Sequence, residues 1–112
     1  MQGRRLANTA VQHFHQQFNS GQYLEIFRDA DVGFTEGKNE DDLAKFLQEV
    51  HAKLGDAVAG SFISIRVNAA TNGNLTTAQY KTTFDRGSAI ETFTWIKTDN
   101  TLRLYGYNIR AN

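Results

Sequence analysis

Three hairpin turns in roughly the last fifty residues constrain this chain more than any other feature: Asn72-Gly73, Arg86-Gly87 and Asp99-Asn100. Asn-Gly supplies the positive φ angles of a two-residue type I′ turn, whose twist matches the flanking strands. Pairing outward from the three turns predicts Val67, Ala78, Trp95 and Leu104 in one row across four strands. Ile65, Tyr80, Phe93 and Gly106 make the next row, and Ile63, Thr82, Glu91 and Asn108 the one beyond. A one-residue slip at any turn would move that apolar set to the opposite face, so agreement among the turns supports a register and not only strands.

The first half reads as helices. Ala7, Ala10, Val11, Phe14 and Phe18 recur at three and four residues, the period of one helical face. Asn19-Ser20-Gly21 ends that segment, and Ser20 is placed to cap a short second helix carrying Tyr23, Leu24, Ile26 and Phe27, closed by Gly33. Asn39 opens a third helix, with Glu40, Asp41 and Asp42 opposing the positive end of its dipole and Leu43, Phe46, Leu47, Val50 and Leu54 as the buried stripe; Gly55 stops it. The expected fold is α+β in one domain: N-terminal helices (about 6–19, 22–30 and 40–54) on one face of a four-stranded antiparallel meander sheet (about 61–70, 75–85, 88–98 and 101–110).

Composition removes several function classes. Twelve basic and twelve acidic side chains cancel within 112 residues, and no basic stripe supplies the electrostatic attraction on which nucleic-acid binding depends. Without cysteine there is no disulfide framework or thiolate site. No apolar run approaches the roughly 20 residues of a membrane helix. A surface rich in Asn, Gln and Thr sets the expectation of a bacterial protein that works in the periplasm or outside the cell after signal removal, with no cofactor.

The layout resembles the cystatin-like, nuclear transport factor 2-like superfamily. The resemblance is carried by the run Phe18-Asn19-Ser20-Gly21-Gln22-Tyr23 into Ile26-Phe27, by the helix end from Phe46-Leu47 to Leu54-Gly55, and by Glu91-Thr92-Phe93-Thr94-Trp95. It implies a curved sheet with helices on its concave face and, where a ligand is held, a cone between the two. Members include isomerases, dehydratases, transport factors and dimerisation modules, so the fold by itself licenses no chemistry. The cystatin inhibitor loops are missing.

Within such a cone, the inward register singles out Glu91, Tyr80, Thr82 and Asn108, with His15 at the border beside Val11 and Phe18. Glu91 has two readings. Desolvation would suit it to general acid or base work, with Tyr80 polarising a substrate carbonyl; alternatively it accepts hydrogen bonds from Thr82, Asn108 or a helix terminus as a structural group. His13 and His15 flank Phe14 and point to different sides, so they do not form an i, i+4 metal pair. His51 suits the C-terminal dipole end of its helix. Asp29, Asp31, Glu36 and the Glu40–Asp42 run lack the spacing of a calcium loop.

The outer sheet face is expected to show Thr92, Thr94 and Ile96 beside Arg103, Tyr105 and Tyr107. Tyrosine among threonines suits an interface, so a homodimer through this face is expected. The resulting expectation is a non-enzymatic domain that binds a small molecule or protein partner or dimerises; the alternative is an isomerase-like or dehydratase-like enzyme using Glu91.

Overall fold

Asn19, the last residue of the first helix, also holds Ala57, the first residue of the sheet. Its side-chain amide donates to Ala57 O at 2.9 Å and accepts from Ala57 N at 2.8 Å. The computed structural model describes residues 2–35, 37–70, 73–98 and 101–111; Glu36 and the turn residues Asn72, Asp99 and Asn100 lie outside them. Four helices, α1 (Gln2–Asn19), α2 (Tyr23–Asp29), α3 (Val32–Thr35) and α4 (Glu40–Leu54), precede β1 (Ala57–Ala70), β2 (Gly73–Phe84), β3 (Gly87–Thr98) and β4 (Thr101–Ala111). The strands lie in sequence order in one antiparallel sheet, so the fold is the expected α+β.

Local chemistry sets the helix ends. Asn39 Oδ1 accepts from the backbone N–H groups of Asp41 and Asp42, capping α4. Gly55 at its other end has φ +84°, and its N–H returns to His51 O. Ser20 is not a cap: Gln22 precedes α2 with no side-chain cap bond. The chain does not stop at Gly33 either, because Asp31 Oδ2 accepts the Gly33 N–H at 2.8 Å and starts α3, which buries Phe34. Only Leu47 of the α4 stripe is fully buried, and Phe46 is 44% exposed.

The sheet keeps the expected faces near its turns and the expected pair Trp95 and Leu104, but the rows across the first two hairpins differ. Val67 faces Thr76 where Ala78 was expected, and Trp95 likewise faces Thr76. The cause lies at the hairpins: Gly73 pairs with Ala70 and Gly87 with Phe84, so each glycine is the first residue of a strand and not part of the turn. Both have positive φ, +137° and +152°. Each slip is by two residues, which preserves the face.

Three bulges do change faces, the first at Val58, between Ala57 opposite Phe84 and Ala59 opposite Thr83. A register shift between Phe62 and Ser64 turns Phe62 towards the helices opposite Tyr80 and leaves Ile63 48% exposed. In β4 the partner shifts from Leu104 for Trp95 to Gly106 for Thr94, so Tyr105 is the extra residue. Beyond it, Tyr107 and Ile109 occupy the positions opposite Phe93 and Glu91, and Asn108 moves to the outer face opposite Thr92.

The space between helices and sheet is filled. Phe93 and Trp95 stack with ring centroids 5.5 Å apart, and Phe14 meets Phe93 edge-on at 5.1 Å. Phe18, Phe34, Phe84 and Ile26 complete the layer. Burial of each such side chain contributes about 1.5–3 kcal/mol, so this aromatic plug is the principal hold of the helices on the sheet.

Candidate functional site

Four elements converge on Glu91. It projects from β3 into the core and is 1% exposed. Its Oε1 accepts from His15 Nε2 of α1 at 2.7 Å and from the Thr82 hydroxyl of β2 at 2.6 Å; its Oε2 accepts from the Tyr107 hydroxyl of β4 at 2.5 Å. Three donors satisfy a carboxylate that burial would otherwise penalise heavily. Tyr107 is pinned between Phe14, at 4.8 Å between centroids, and Phe93, at 5.2 Å. Burial pushes its phenol well above the usual tyrosine range, and the neighbouring Glu91 carboxylate adds to the effect by charge and by its hydrogen bond.

Glu91 therefore does not stand on an open wall, while His15 does. A groove of about 600 Å³ runs between α1 and the edge strand β1, within the size range of small-molecule sites. Arg4, Asn8, Gln12 and His15 line it from successive turns of α1, and Ala57–Phe62 line it from β1, with Tyr80 behind. His15 commits Nε2–H to Glu91, which fixes the ring orientation and tautomer. Nδ1 has no partner among the described residues and is left for the groove.

At the other end of the groove the Tyr80 hydroxyl donates to Asn8 Oδ1 at 2.5 Å, and the Asn8 NH₂ has no acceptor among the described residues. Arg4 holds its guanidinium over the Phe62 ring, 4.3 Å from the centroid. Burial raises the Tyr80 phenol, and the Arg4 charge partly opposes that rise.

The expected site residues separate into two groups. His15 and Tyr80 share the groove wall; Glu91 and Thr82 sit behind it as a buried support. Asn108 is a correction: the β4 bulge turns it outward, Ile109 takes the place expected for it opposite Glu91, and Tyr107, opposite Phe93, supplies the hydrogen bond to the carboxylate. Tyr107 in turn leaves the expected outer face. Tyr105 is held against α3, where a Cβ on Gly33 would fall 2.2 Å from its ring. Ile96 is 4% exposed within the single chain. Thr92 and Thr94 already bond across the sheet, to Gln79 and Thr77, and Arg103 lies opposite Ile96. The sequence reading missed Arg4 and Asn8, which look like ordinary polar positions of an amphipathic helix.

A second titratable cluster lies at the end of α4. Tyr23 donates to His51 Nδ1 at 2.5 Å, and His51 Nε2 reaches Asp56 Oδ1 at 2.6 Å, tying α2 and α4 to the start of β1. Burial, and then the Asp56 charge, raise the Tyr23 phenol. Among the described residues no group of three His, Cys, Asp or Glu side chains is placed to hold a metal ion, and no helix is long and apolar enough to cross a membrane.

Fold and site together define an α+β domain with a filled core, a buried carboxylate network and a polar groove along one edge of its sheet. The chain belongs to the family described as protein of unknown function DUF4019, whose model matches residues 10–107. That span includes His15, Thr82, Glu91 and Tyr107 and begins after Arg4 and Asn8. No curated protein matches the chain.

Proposed function

We propose that the chain is a non-catalytic binding domain that holds a small polar molecule in the groove between α1 and β1. The observation that carries this reading is the fixed His15 on the groove wall: a buried carboxylate holds one ring nitrogen while the other is left for a ligand. The isomerase-like alternative loses its base, since Glu91 is closed off and already accepts three hydrogen bonds. Self-association through the outer face loses Tyr107, which points inward, and keeps its threonines, Arg103, scattered aliphatic side chains and the part-exposed Tyr105; antiparallel sheets leave such faces in water.

The reading is tested by backbone amide NMR during titration with a mixed set of neutral and charged polar fragments. Shifts clustered on His15, Gly60 and Phe62, and lost in His15→Leu, support it. Shifts scattered over the surface, or unchanged in that variant, reject it.

A further inference from the structure

The groove wall carries charge of one sign. Among the residues lining it, Arg4 is permanently charged, His15 is able to become cationic, and every other group is neutral; no carboxylate lines it. The carboxylate nearest to it in the network, Glu91, is buried behind His15 and occupied. No acidic group among the described residues lies within 4.0 Å of Arg4, so its charge is not neutralised by a salt bridge. Asn8, one turn further along α1, has its carbonyl oxygen engaged by Tyr80 and so presents N–H donors. An unpaired guanidinium beside a donor amide matches the two oxygens of a carboxylate, which takes charge-assisted hydrogen bonds more strongly than a neutral acceptor. Phe62 and Val11 add apolar surface next to this anchor, and small residues along Ala57–Ser61 leave the groove open towards His15.

We propose that the groove selects a small organic carboxylate, with its anionic end on Arg4 and Asn8 and its body lying along Phe62 towards His15. This inference rests on the groove being the binding site and adds the chemical class of what it binds.

The test compares three acids with their uncharged primary amides by amide NMR on the intact chain: acetate with acetamide, succinate with succinamide, and hippurate with hippuramide. The expected result is that at least one acid binds about tenfold more tightly than its amide, with shifts centred on Arg4, Asn8 and Phe62. That preference should shrink as salt is raised and disappear in Arg4→Gln, whose unchanged thermal midpoint would show an intact fold. Equal binding of acids and amides in the groove would overturn the carboxylate preference and leave the binding reading standing. Failure of all six to shift groove residues would overturn both, and a preference that survives in Arg4→Gln would remove the anchor assigned here.

Discussion

His15 Nε2 lies 2.7 Å from Glu91 Oε1 although 76 positions separate the two residues in the chain. Through this contact the first helix, made early in the sequence, is pinned to the third strand, made late. It also couples a buried network to an open groove, so that the orientation of one groove residue depends on side chains that no ligand touches.

Glu91→Gln should retain the fold at reduced stability. The amide keeps one acceptor oxygen, which serves His15 and Thr82 in the better orientation, but presents its NH₂ to the Tyr107 hydroxyl, so the loss should be about 1–3 kcal/mol by urea unfolding. Glu91→Ala should cost more, because His15, Thr82 and Tyr107 all lose their acceptor. A stability equal to that of the unaltered chain would show that the network contributes nothing.

Tyr107→Phe isolates one bond and one titration. Removing the hydroxyl should cost about 1–2 kcal/mol at neutral pH. The alkaline behaviour has the opposite sense. A phenol raised above its ordinary value of 10.0 binds its proton more tightly in the folded chain, so its contribution is complete below pH 10.0 and is lost as pH rises towards the folded-state value. Stability should therefore fall with pH in that alkaline window in the unaltered chain, and fall less steeply in Tyr107→Phe. Identical slopes from denaturation curves across that window would count against the assignment.

Gly55→Ala should be destabilising by about 1–3 kcal/mol, since φ +84° with ψ −163° lies where only glycine is at ease. A Cβ there would also fall 2.6 Å from the Asp85 side chain. Asp85→Ala in the same chain should recover part of the loss, which a double-mutant cycle would measure. No recovery would assign the whole effect to the backbone.

Gly33→Ala tests the placement of Tyr105. The added methyl needs the space of the Tyr105 ring, so Gly33→Ala should lower the thermal midpoint by itself and lower it far less in a Tyr105→Ala background. Additive effects in the two backgrounds would mean that the ring does not rest on α3.

Much of this architecture was legible in the sequence because its signals are local. The Asn39 cap, the glycine after Leu54, and the alternation through Tyr80, Phe93 and Trp95 each follow from a few neighbouring residues. Bulges are harder, since one additional residue reverses every later side chain while leaving strand composition unchanged. Two signals were nevertheless present: adjacent Phe62 and Ile63 cannot both face the core in a regular strand, and Gly106 interrupts β4 immediately after the bulged Tyr105. The two-residue slips at the hairpins arose because a glycine beside a turn need not lie within it. The groove was not legible, because whether the polar side of α1 meets water or faces a strand edge depends on how far β1 stands from the helix.

The bulge at Tyr105 makes β4 a strand read in two frames. Up to Leu104 one parity of residues serves the core, and from Tyr107 onward the other parity does. Were the same residues paired as a regular ladder with no bulge, Asn108 would return to the interior and Tyr107 would stand on the open side of the sheet. The Glu91 carboxylate would lose its phenol while an aromatic patch appeared outside. One unpaired residue thus separates a pairing that keeps the tyrosine as a buried fastener from one that displays it as an adhesive surface.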